Sequence, residues 1–178
     1  MRIYTLAFLF LSSCMSSRES NDYIALLSKT RSQINMAVLE EHQLVCRGYG
    51  GALMHDIAEV SQDYLSMKKC DVNSARQLMV SCVEKLKEMI NNNSEIRHFL
   101  HEYPFPANRI EITIAFVDDT GEHVSDGSVA YASFINGKIK YSKFNRETDK
   151  LEKLSREDYA EALRIVQSEN HKSTEQHI

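Results

Sequence analysis

Apolar residues recur at helical spacing along the first half of the chain and alternate along part of the second. From Tyr23 to Cys46 there is no Pro or Gly, and Ile24, Leu27, Ile34, Val38 and Val45 follow at intervals of three, seven, four and seven. That spacing predicts one long helix with a single apolar stripe. Arg31 and Glu41 interrupt the stripe, so its burial is expected to be partial. Arg47-Gly48-Tyr49-Gly50-Gly51 puts three glycines in four residues and reads as the turn that ends this helix. Leu53, Ile57, Val60 and Tyr64 then recur at four, three and four, which predicts a second helix over 52–67. Asp71 or Asn73 caps a third helix to about Ile90, with Ala75, Leu78, Cys82 and Leu86 on its apolar face. Ser94 opens a short fourth helix carrying Ile96, Phe99 and Leu100, and Pro104-Phe105-Pro106 stops it.

From Arg109 the period falls to two. Ile110, Ile112, Ile114 and Phe116 point one way, which predicts a half-buried strand over 109–117. A second strand is expected over 128–135 and a third from Lys138 to about Phe144, joined by a type I′ turn at Asn136-Gly137. A two-residue turn sets Phe134 opposite Ile139 and Ala132 opposite Tyr141. That face should lie on the helices, while the Lys140 face should be wetter. Ser155-Arg156-Glu157-Asp158 has the form of a capping box and predicts a C-terminal helix with Tyr159, Ala162 and Val166 on one side. The expected class is α+β: N-terminal helices packed on a three-stranded antiparallel β-meander, plus a C-terminal helix. One domain is expected over 23–168, with a disordered polar tail over 169–178.

Composition narrows the partners more than the fold. Apolar residues make up 43% of the 178, enough for a core. The formal net charge is -4, with no cluster of Lys and Arg to neutralise phosphates, so no nucleic-acid partner is expected. No run of eighteen apolar residues is present, so no transmembrane helix is expected.

The N-terminus carries the most specific signal. Arg2 precedes a mostly apolar run from Ile3 to Leu11, far too short to span a bilayer but suited to a secretory signal. Leu11-Ser12-Ser13-Cys14 resembles the lipobox of bacterial lipoproteins: an aliphatic residue, two small residues, then cysteine. The resemblance covers residues 1–14 only. It implies that 1–13 is a signal peptide, that Cys14 carries a diacylglyceryl thioether, and that the mature chain begins at Cys14. Residues 14–22 are then expected as a lipidated flexible tether. The lipid is the covalent group the resemblance implies, and no other cofactor is expected. The implied location is the bacterial cell envelope, anchored to a membrane, because two or three acyl chains hold a protein stably at a bilayer.

Candidate chemistry is sparse. With Cys14 lipidated, Cys46, Cys70 and Cys82 remain, an odd number. In an up-down-up helix arrangement Cys46 and Cys70 sit roughly 24 Å apart, beyond disulfide reach. His42 and Cys46 lie four apart on the expected helix, and His55-Asp56 follow, but adjacent helix residues diverge too far to form a triad. A pocket between helices and sheet near Tyr49, His55 and Cys46 is the place for a ligand or a hydrolytic site. His98-x-x-His101 places two imidazoles on one helix, without a third metal ligand. The loop carboxylates Asp118, Asp119, Glu122 and Asp126 offer oxygens for a cation, without EF-hand spacing.

The leading expectation is a membrane-anchored envelope lipoprotein that binds or supports a protein partner. A small-ligand binder or hydrolase using the Tyr49 pocket comes second. A soluble acidic adaptor or chaperone follows if residues 1–14 are not a signal.

Overall fold

The structure, a computed structural model, describes residues 15–175, with side chains over 23–171. Cys14 and the signal-like segment therefore lie outside the described residues. Helix α1 spans Met15–His42, so it includes residues 15–22, which are expected as a tether. Its inner face buries Tyr23, Leu27, Ile34 and Val38. At Gln43 the backbone turns left-handed (φ 60°), and the chain doubles back.

The glycine-rich segment that follows is a strand, not a turn. β1 (Val45–Gly50) pairs antiparallel with β2 (Val60–Ser66), and the helix expected over 52–67 is absent. Val60 and Tyr64 satisfy a period of two as well as a helical one. Gln62 and Ser66 share their buried face, so polar residues at core positions hid the alternation. Gly51 is required as glycine: its φ is +145°, and a Cβ there would lie 2.0 Å from the Glu59 carbonyl oxygen.

Helix α2 (Val72–Asn92) forms as expected, with the Asp71 carboxylate accepting from the Ser74 amide at 2.8 Å. The short fourth helix is a single 3-10 turn, Arg97–Phe99. β3 (Ile110–Phe116) then returns parallel to β2, making β2–α2–β3 a crossover unit. β4 (Tyr131–Ile135) and β5 (Lys138–Asn145) form the expected hairpin in the expected register, Phe134 opposite Ile139 and Ala132 opposite Tyr141. The capping-box segment is instead the end of β6 (Lys150–Asp158), and helix α3 (Tyr159–Glu175) starts only after it.

The sheet is thus six-stranded and mixed, in the order β1-β2-β3-β4-β5-β6, which corrects the expected three-stranded meander within the same α+β class. Helices α1, α2 and α3 share one core with the strands. Phe134 and Tyr159 bring their rings to 4.9 Å where α3 covers β4. Among the described residues no helix is long and apolar enough to cross a membrane.

Glu111, on the face opposite the helices, carries a pH-dependent penalty. Partial burial, with Glu59 and Asp63 nearby, holds its carboxyl above the usual range. The fold favours the protonated form, so its stability contribution is full below the unfolded value of about 4.3 and is lost as pH rises through the folded value. Glu111→Gln is expected to raise Tm at pH 7 and to match the wild type at pH 3. Thermal melts at both values check this, and equal Tm at pH 7 counts against it.

Candidate functional site

Because β1 runs back along α1, the two elements enclose a groove of about 460 Å³. Ser28, Arg31, Ser32, Asn35, Met36 and Leu39 line it from α1, at the three- and four-residue intervals of one helix face. Leu44, Val45, Cys46 and Tyr49 line it from the other side.

Arg31 is the unusual member. It occupies the apolar stripe between Leu27 and Ile34 and is only 4% exposed. One guanidinium nitrogen, Nη2, donates to the Gly50 carbonyl. The group lies 5.2 Å from the centre of the Tyr49 ring, within cation–π reach. Its Nε donates to nothing, and no carboxylate pairs with it among the described residues. Burial pulls its pKa below the ordinary guanidinium value, with Tyr49 and Cys46 acting in the opposite direction. Arginine nevertheless stays charged. A desolvated cation without a counter-ion favours an incoming anion.

Beside Cys46 lies a second unmet donor. Gln62 is fully buried, and its side-chain Nε2 has no partner. Its Oε1 accepts a long bond from the Cys46 thiol at 3.7 Å. The same thiol donates to the Gly48 carbonyl at 3.5 Å. Burial pushes the Cys46 thiol up, which keeps it protonated and a poor nucleophile. Asn35 accepts from the Tyr64 hydroxyl at 3.2 Å.

Of the three residues expected around a pocket, Cys46 and Tyr49 come together and His55 does not. His55 is exposed in the β1–β2 connection. Its neighbour Asp56 accepts from His101 at 2.7 Å, and His98 stacks against Phe99 at 3.8 Å. The loop carboxylates are engaged locally: Asp118 accepts from the Thr120 and Glu122 amides, and Asp126 from Lys69 and Ser128. Arg146 lies 3.6 Å from Asp118 and 3.7 Å from Glu122, and Asp119 is exposed. Among the described residues no group of three His, Cys, Asp or Glu is arranged to hold a metal ion.

A second cavity, about 370 Å³, lies where the end of α1 meets α2 and α3. His42 lines it, but its partner is Ser81 rather than Cys46: Nε2 and the Ser81 hydroxyl are 2.8 Å apart. Glu41 approaches the same nitrogen at 3.5 Å, so it does not orient the ring from Nδ1 as a triad carboxylate does.

Cys46, Cys70 and Cys82 are all free thiols. The helix that was to separate Cys46 from Cys70 is replaced by strands, so that separation argument no longer applies. Cys82 is buried on the inner face of α2, which pushes its pKa up to about 12. Maleimide added to the native protein is expected to spare Cys82 and to label it once the chain unfolds. Mass spectrometry of the labelled peptides checks this, and rapid native labelling of Cys82 would show that its helix opens.

Arg31, Asn35 and Gln62 are the site residues that motif reading misses. Arg31 did leave a trace, as a charge inside an apolar stripe. No family model, no curated protein and no solved structure matches this chain.

Proposed function

We propose that this protein is a lipid-anchored protein of the bacterial cell envelope and that its domain binds a small anionic ligand in the α1–β1 groove. The anchor rests on the order of apolar run, small pair and Cys14. The binding role rests on one observation: Arg31 is buried beside an open groove, and no carboxylate among the described residues neutralises it. That observation favours a small ligand over the protein partner expected first. Cys46, being protonated, contributes a wall and not a nucleophile.

Two measurements test the reading. Labelled palmitate supplied to a bacterium expressing the full chain should mark the wild type and not Cys14→Ser, and only the wild type should sediment with membranes. Equal labelling of both removes the anchor. Sodium salts of simple carboxylates at constant ionic strength should raise Tm in a saturable manner. A Tm that follows ionic strength alone removes the binding site.

A second reading, hydrolysis of small esters, is favoured only by the His42–Ser81 contact. There the Ser81 hydroxyl would attack the ester carbonyl as His42 takes its proton, His42 would pass that proton to the departing alkoxide as the C–O bond breaks, and water would then release the acyl group from Ser81 as the acid. p-Nitrophenyl acetate decides it: a Ser81→Ala rate equal to the wild type ends this reading.

A further inference from the structure

We infer that the occupant of the α1–β1 groove is an amphiphile, a single anionic head on an unbranched acyl chain, with the head at Arg31 and the chain running toward Leu39 and Val45. This rests on the anion-binding reading above and names the ligand class.

The groove is graded from end to end. Ser28, Arg31, Ser32 and Tyr49 form one end, which is polar and cationic. Met36, Leu39, Leu44 and Val45 form the other, which is apolar. The grading follows from the antiparallel course of α1 and β1. Residues late in the helix meet residues early in the strand, while Arg31, a little over two turns earlier, meets Tyr49 near the strand's end. From Arg31 to Leu39 the helix rises about 12 Å. A small inorganic anion would satisfy Arg31 and leave that length unfilled.

Large apolar side chains are also exposed at the apolar end. Met36 is 61% exposed, Leu39 49% and Val45 46%, and all three sit on the groove. Contiguous exposed apolar surface rimmed by polar groups marks a binding surface. One positive charge at one end and apolar surface along the rest match one negative head with one chain. On the lipoprotein reading, α1 also starts one residue after the lipidated Cys14. Ser28 then lies about 20 Å along the helix from that anchor, within reach of molecules leaving a bilayer.

The test uses the full-length Cys14→Ser chain, purified without detergent because detergent is itself such an amphiphile. Isothermal titration with acetate, butanoate, hexanoate and octanoate is expected to show Kd falling about two- to fourfold per added methylene. Octan-1-ol, with the same chain and no charge, should bind at least about tenfold more weakly than octanoate. Leu39→Ser, at an exposed position, should flatten the chain-length series. Octanoate against octyl phosphate then tells a free acid from a phosphate-headed lipid as the source, and tight binding of either supports the inference. A flat series with retained carboxylate binding overturns the amphiphile and leaves the anion site standing. Equal binding of octan-1-ol and octanoate overturns the head-group role of Arg31. Absence of binding by every carboxylate overturns both.

Discussion

Replacing Arg31 with Met is expected to raise the Kd for a carboxylate ligand by roughly 10- to 150-fold while changing the stability of the unliganded domain by no more than about 1 kcal/mol. The two effects separate because they draw on different terms. A desolvated guanidinium costs several kcal/mol, and only partners can compensate it. Among the described residues the partners are one carbonyl, that of Gly50, and the Tyr49 ring, worth about 0.5–2 kcal/mol. Met fills much of the same volume without a charge, and the half-buried Gly50 remains open to water. The loss of partners and the relief of desolvation therefore oppose each other. Binding has no such compensation. A charge-assisted hydrogen bond contributes about 1.5–3 kcal/mol, and Met cannot make one. Urea denaturation gives the first quantity and titration calorimetry with octanoate the second. Unchanged affinity would show that the guanidinium does not meet the ligand. A loss of 3 kcal/mol or more in the free protein would make Arg31 a structural residue.

The largest loss of stability is expected from Glu157→Ala. Arg76 donates through Nε to both Glu157 oxygens, at 2.9 and 3.0 Å, and the Tyr141 hydroxyl donates to one of them at 2.6 Å. Arg76 and Glu157 side chains are each only 13% exposed, so water replaces little of what is lost. Removing the carboxylate leaves the half-buried Arg76 cation with the Asn73 side chain alone and strands the buried Tyr141 hydroxyl, which costs about 3 kcal/mol, the low end for a broken buried pair. That is a large share of the 5–15 kcal/mol of a typical domain. The urea midpoint should fall with the slope unchanged. Tyr141→Phe removes one neutral donor and should cost only about 1 kcal/mol. Arg76→Met combined with Glu157→Ala should recover part of the loss, because no charge is then left unpaired. A double variant no more stable than Glu157→Ala would show that packing, not the ion pair, holds β6 to α2.

The parts of the fold that could be read in advance are those with local causes. Asp71 caps α2 because its carboxylate reaches an amide three residues on. β3 alternates because its buried face is a continuous row of Ile110, Ile112, Ile114 and Phe116. Asn136 and Gly137 both take positive φ (50° and 70°), and the two-residue turn fixes which side chains of β4 and β5 meet. The failures share a cause too. Gly48 and Gly50 read as turn formers, yet they sit in a strand. Side chains from β2 cross over them: a Cβ at Gly48 would meet Asp63 at 3.2 Å and one at Gly50 would meet Ser61 at 3.0 Å. β6 is an edge strand whose side chains mostly face water, so it carried no apolar rhythm, and a local capping pattern stood in its place.

The site divides along the same line. The residue types were visible: a charge in an apolar stripe, a glycine-rich tyrosine segment, a cysteine beside it. Sequence alone suffices for the α+β class of the domain, one capped helix and one registered hairpin, since the local patterns behind them depend on neighbours a few residues away. The parallel union of β2 with β3 is a different matter, joining Val60 to Ile110 across a helix. So is the return of β1 along α1. Only that return buries Arg31 against Gly50, leaves the Gln62 Nε2 without an acceptor, and sends His55 away from Cys46 and Tyr49. Whether a charge is solvated or stranded depends on what packs over it. In this chain the packing comes from segments some twenty residues away and more, which no local pattern records.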